Sequence, residues 1–167
     1  MKTHGRNMRM LSSLTKSTYE AILIAELRPA MGCTEPIAIA YASSILAKTL
    51  GGSPTEINAH FSGNIIKNVK SVIVPATGGR HGIEAAIAAG VVSCRPDKRL
   101  EVLTVLTSED ECKIDSVLGS CKIHIDKLNT GCSFELILTG SLDDRCATVK
   151  ISGAQPNVTE VSLNGVD

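Results

Sequence analysis

Aromatic residues are nearly missing from this chain. Of its 167 residues two are Phe, two are Tyr and none is Trp. That argues against platforms on which nucleic-acid bases stack. The core has to be built from Ile, Leu, Val and Ala instead. Net charge is missing too, because 17 basic side chains balance 17 acidic ones. No basic excess points to nucleic acid, and no acidic run reads as a solvated tail. The uncharged run over 36–47 falls short of the roughly 20 residues that a membrane-spanning helix needs. The opening is polar and basic, with His4, Arg6 and Arg9, and no apolar segment of a secretory signal follows it. The six cysteines, Cys33, Cys94, Cys112, Cys121, Cys132 and Cys146, form no C-x-x-C pair. Their spacing is neither that of a zinc finger nor that of a small disulfide scaffold. These absences read as a cytoplasmic protein with reduced thiols, with no nucleic-acid or membrane partner. Most of its cysteines read as small apolar fillers.

What is present suits one domain with its own core. Residues 1–13 read as a disordered extension and 14–167 as a single domain. Ser17 and Glu20 have capping-box spacing, and Tyr19, Ile22, Leu23 and Leu27 recur at helical intervals. Pro29 stops that helix near Arg28. Thr34 can cap the next helix, with Glu35 and Pro36 in its first turn. From Ile37 to Leu50 this helix is apolar or small nearly all round, which predicts burial on most sides. Gly51-Gly52 ends it.

A strand is expected over 56–62, where Ile57, Ala59 and Phe61 alternate with Glu56, Asn58 and His60. A short helix can follow the Ser62-Gly63-Asn64 turn. Ser108 and Glu111 have capping-box spacing ahead of the apolar stripe Ile114, Val117 and Leu118, with Gly119 as the stop. Alternation then returns over 122–126, 133–138, 147–151 and 158–163, around a turn at Asp143-Asp144. Such short spacings favour an antiparallel meander. The fold class is α+β, with N-terminal helices packed on a mainly antiparallel sheet.

The chemistry centres on Met31-Gly32-Cys33-Thr34-Glu35-Pro36. A thiol at a helix start faces unpaired N–H groups and the positive end of the helix dipole, and both favour the thiolate. Cys33 reads either as a reactive thiol or as a small residue at a tight corner; the adjacent Gly and Glu favour the first. Glu35 reads equally as a partner for a substrate amine or as a carboxylate suited to the dipole. Asn64, Lys67 and Asn68 form a polar cluster after a turn. Thr77-Gly78-Gly79-Arg80-His81-Gly82 runs into a helix, where backbone N–H groups can face an anion. It is neither a Walker A loop nor a G-x-G-x-x-G fingerprint, and an ordinary turn fits it somewhat better than an anion site. His60 and His124 fall on polar strand faces. No metal-ligand cluster is apparent.

Three stretches carry a resemblance. Residues 26–40, around Gly32-Cys33-Thr34-Glu35-Pro36, resemble the opening signature of the L-cysteine desulfidase family, relatives of the alpha region of iron–sulfur L-serine dehydratases. Ser62-Gly63-Asn64-Ile65-Ile66-Lys67-Asn68 resembles the family's second motif. Val74-Pro75-Ala76-Thr77-Gly78-Gly79, with the Gly82-Ile83-Glu84-Ala85-Ala86 helix, resembles its third. The resemblance implies a carbon–sulfur lyase that breaks L-cysteine into pyruvate, ammonia and sulfide by α-proton abstraction and β-elimination. It implies Cys33 as the proton acceptor, and Glu35, Asn64, Lys67, Asn68, Thr77, Gly78 and Gly79 as substrate-binding residues for a small amino acid. It further implies a [4Fe–4S] cluster whose ligands lie in a C-terminal region beyond the part resembled here. The chain would then be inactive without that region, supplied in cis or by a partner chain. The alternatives are a non-catalytic small-molecule-binding or assembly module on the same fold, and an L-serine dehydratase-like activity. An apolar helix separated from that region would leave an exposed patch, so self-association is expected.

Overall fold

The computed structural model describes residues 13–26, 33–153 and 157–166. The expected extension over 1–13 lies outside the described residues except for Ser13, which opens the first helix. So do the expected stop at Pro29 and the Met31-Gly32 half of the central corner. Helix α1 spans Ser13–Glu26, and Tyr19 and Ile22 on it are about half exposed.

Helix α2, Thr34–Leu50, is the centre of the molecule. Ile37, Ala38, Ile39, Ala40, Ala42, Leu46 and Leu50 have no exposed surface. An all-apolar helix needs cover on every side, and this one gets it within the chain. One side lies on the sheet. Another meets α4, Gly82–Ser93, and a 3-10 segment at Pro96–Glu101 also packs on it. The exposed apolar patch expected on this helix is therefore not there. Gly51 ends α2 in the left-handed conformation, φ 74°, and its N–H bonds back to Ala47.

The sheet has five strands in the order β2-β1-β3-β4-β5. They are β1 Glu56–Phe61, β2 Lys122–Lys127, β3 Glu135–Leu142, β4 Arg145–Ser152 and β5 Val158–Leu163. Alternation sorts their side chains as a period of two requires. Ile57, Ala59, Phe61, Leu136, Leu138, Ala147, Val149 and Ile151 are buried. Glu56, Asn58, Thr139, Thr148 and Lys150 belong to the other register, where Thr139 and Thr148 share a hydrogen bond and Lys150 pairs with Glu135 at 2.9 Å. Gly140 brings β3 close to α2, since a Cβ there would lie 2.8 Å from Leu46 Cδ2.

The α+β class holds, with helices packed against a mostly antiparallel sheet. One part of the expected meander does not. Strands β3, β4 and β5 follow each other antiparallel, but β2 runs parallel to β1 at the sheet's edge. The chain between β1 and β2 holds α3 (Gly63–Val69), α4 and α5 (Glu111–Ser120), and a crossover of that length permits parallel pairing. The capping box before α5 is formed by Thr107 and Asp110, one residue earlier than Ser108 and Glu111, and α5 runs through Gly119. The cap falls where the extended backbone of Thr107 frees its hydroxyl.

No helix among the described residues is long and apolar enough to cross a membrane.

Ala76 is exposed and left-handed, φ 57°, in the loop before α4. That conformation costs a side-chain-bearing residue about 1–2 kcal/mol. Ala76→Gly should therefore raise the urea midpoint by about 0.5–1 kcal/mol of stability, after the entropy glycine adds to the unfolded chain is subtracted. A lowered midpoint would contradict the geometry assigned to Ala76.

Candidate functional site

Burial of α2 fixes its first turn in place, and three side chains converge there. Cys33 is the N-cap residue, with extended backbone at φ −60° and ψ 124°, and it is exposed. Its thiol donates to Glu35 Oε2 at 3.0 Å. Thr34 Oγ1 reaches the same oxygen at 3.5 Å. Across the gap to α3, Asn68 Nδ2 donates to Glu35 Oε1 at 3.1 Å. One carboxylate thus collects a thiol, a hydroxyl and an amide.

The charge sits on the carboxylate. The thiol's hydrogen bond, foremost, holds Glu35 below the usual glutamate range, with the bonds from Asn68 and Thr34 adding to it and partial burial opposing. The same bond, then burial, raises the Cys33 thiol above its ordinary value. The thiolate expected at a helix start is thereby disfavoured, because the thiol's proton is held in the hydrogen bond to Glu35. A carboxylate with a lowered folded pKa contributes stability above the ordinary glutamate pKa. That contribution is lost as pH falls through the lowered value.

Beside this group lies a cleft of about 230 Å³ lined by Glu35, Asn64, Ile65, Asn68, Ser133 and Phe134. Its far wall comes from the segment before β3. The Ser133 carbonyl accepts Ser62 Oγ at 3.1 Å and Asn64 Nδ2 at 3.3 Å, which ties that segment to the start of α3.

Of the residues expected at a site, Cys33, Glu35, Asn64 and Asn68 come together. Lys67 is exposed and does not line the cleft. Thr77 is turned inward, its hydroxyl donating to the Val74 carbonyl at 2.8 Å. Gly78 lies under a carboxylate of the chain itself: a Cβ there would sit 2.1 Å from Glu111 Oε2. Arg80 clamps this loop onto α5. Its Nε and Nη2 donate to Asp115 at 2.8 and 2.7 Å, and its Nη1 reaches Glu111 and the Thr77 carbonyl. Gly79 is open, with φ 87°. The glycine loop thus packs against acidic side chains of α5 and does not line the cleft.

Ser62, Ser133 and Phe134 were not singled out by sequence reasoning. The last two stand far along the chain from Glu35, and no local pattern links them.

The chain resembles known sequences over most of its length. A protein named UPF0597 from Treponema denticola is 41% identical over 155 residues, covering 91% of this chain and 36% of the relative. One from Desulfitobacterium hafniense is 39% identical over 148 residues, covering 89% and 34%. One from Lachnoclostridium phytofermentans is 40% identical over 147 residues, covering 87% and 35%. The chain is similar to UPF0597 proteins. It spans about a third of the length of these relatives. No family model and no solved structure matches.

The UPF0597 likeness corrects the motif-based assignment. These relatives are named neither cysteine desulfidase nor serine dehydratase, so the reading as part of an L-cysteine desulfidase is withdrawn, and the lyase reaction with it. The iron–sulfur cluster entered only with that resemblance, with its ligands expected beyond this chain. Among the described residues no three His, Cys, Asp or Glu side chains are grouped to hold a metal. Cys33 is engaged with Glu35, and Cys121 is buried.

Proposed function

We propose that the start of α2 is a binding site for a small polar molecule, at which Cys33 and Glu35 together hold one proton. The observation that carries this reading is Glu35: both its oxygens are oriented by donors, and it lines a cleft sized for a compact ligand. Its carboxylate is charged, and the thiol beside it stays protonated. A ligand donor arriving at Oε2 competes with the thiol for that oxygen. In the resting pair Cys33 serves as proton donor, and the carboxylate is the base.

Ligand-observed NMR with a panel of compact polar molecules tests the site. Saturable binding to the chain, lost in Glu35→Gln and Asn68→Ala but kept in Lys113→Ala on α5, is the expected result. Binding indifferent to the cleft variants, or none, would sink the proposal.

The pair itself has a separate signature. Glu35→Gln removes the largest cause of the raised thiol value. Alkylation by iodoacetamide follows the thiolate fraction. At pH 8 it should therefore run severalfold faster at Cys33 in the variant, read site by site by mass spectrometry. Exposed Cys112 and Cys146 in the same sample should keep their rates. An unchanged Cys33 rate would show that Glu35 does not hold the thiol's proton.

A further inference from the structure

The cleft has a one-sided chemistry. Of its six lining residues only Glu35 is ionised, and none is Lys, Arg or His. Lys67, within α3, and Lys127, at the end of β2, are exposed and do not line it, although the Lys127 side chain lies against Gly63, with its Nζ 3.7 Å from where a Cβ would stand there. Arg80, beside the glycine loop, is spent on Asp115 and Glu111.

The neutral polar groups lean the same way. One N–H of Asn64 is given to Ser133 O, and one N–H of Asn68 to Glu35. The Ser133 carbonyl already accepts two donors. Each carboxamide thus spends one N–H within the chain and presents its Oδ1 and its other N–H. A carboxamide oxygen carries two lone pairs, and an ionised carboxylate accepts at about four positions. Glu35 already takes three donors, so a ligand finds its remaining lone-pair position, the two carboxamide oxygens, one spare N–H on each Asn and the Ser133 hydroxyl; among these side chains accepting positions still outnumber donors. The remaining wall is Ile65 and Phe134, and an aromatic face tolerates a cation.

Resting on the binding-site reading above, we infer that the cleft takes a compact organic monocation: a primary ammonium or guanidinium on a short apolar body. The cationic head meets Glu35 and the Asn64 and Asn68 carbonyl oxygens. The apolar body lies along Ile65 and Phe134. An anion meets a like charge with no counter-cation in the cleft. A zwitterionic amino acid brings a carboxylate for which no cationic partner lines the wall.

Isothermal titration of the full chain at low salt, with propylammonium, propylguanidinium, propanol, propionate and alanine as probes, tests this. The two cations should bind, with propionate and alanine at least about tenfold weaker, the usual loss for a missing charge-assisted hydrogen bond. Glu35→Gln should cost the cations a similar factor at an unchanged unfolding midpoint. If that variant unfolds, raised salt on the unmodified chain serves instead, and should weaken cation binding while sparing propanol. A second readout is the thiol. A cation pairing with Glu35 displaces the Cys33 hydrogen bond, so propylammonium should speed Cys33 alkylation and propionate should not. Preference for propionate, alanine or propanol would overturn the cation assignment and leave a binding cleft standing. No binding of any probe would overturn both.

Discussion

Replacing Gly90 by Val should lower stability by about 4 kcal/mol or more, which is near half the total of a typical domain. Gly90 lies in α4 where that helix meets α2. A Cβ at this position would stand 2.1 Å from the Ala40 carbonyl oxygen and 2.7 Å from its carbon. The neighbour is backbone of a fully buried helix, so it cannot rotate aside. The two helices would have to separate, and every contact between them would thin. Overpacking of an ordinary core site costs about 1–3 kcal/mol, and here the loss of helix packing adds to it. Gly90→Ala discriminates better than its size suggests. Alanine is favoured over glycine inside a helix by nearly 1 kcal/mol, so propensity alone predicts a gain. The contact predicts a loss. Urea titration followed by circular dichroism decides the sign; a variant as stable as the parent would show that α2 and α4 do not meet at Gly90.

Phe61→Ala should cost about 3–5 kcal/mol, the usual range for emptying a fully buried aromatic site. Phe61 has no exposed surface, ends β1 and stands opposite Leu136 of β3. The cavity would open directly beside Ser62, whose hydroxyl holds the Ser133 wall of the cleft. Lost stability should therefore come with weakened ligand binding, measured well below the unfolding midpoint. Phe134→Ala makes the comparison. Phe134 is only half buried, so its loss should fall mainly on binding. A Phe61→Ala cost under about 1 kcal/mol would place the core elsewhere.

Much of the fold is written locally. Thr34-Glu35-Pro36 and Gly51-Gly52 bracket α2, and they do so because a helix start and a left-handed stop are properties of a few adjacent residues. The alternation in β1, β3 and β4 sorts core from surface for a similar reason. The parallel placement of β2 was not legible, because partner and direction depend on what fills a long crossover. Half of the cleft was legible as the corner around Cys33 and the Asn64–Asn68 cluster. Its other wall, Ser133 and Phe134, arrives by tertiary folding. The hydrogen bond that raises the Cys33 thiol was not legible, because the direction in which Glu35 points is not written in the sequence. The assignment to a lyase family failed for a related reason. Its motifs describe a corner, a turn and a loop, and local backbone devices of that kind are shared by sites with different chemistry. Likeness along most of the chain points to UPF0597 proteins instead.

The order β2-β1-β3 places the earliest strand of the chain between two strands that come far later in the sequence. Glu56 has Lys122 on one side and Ser141 on the other, both dozens of residues downstream. Neither neighbour can be gained by a short hairpin, whereas β3 and β4 pair across the turn at Asp143-Asp144, and β5 begins six residues after β4 ends. Within the sheet the long-range pairing is thus concentrated in β1, beside the packing of α2 on β3 and β4, and the loop entropy of closing those long segments is lost when β1 docks. The residues around the cleft inherit that cost, since Ser62 follows β1 directly and Ser133 precedes its partner β3.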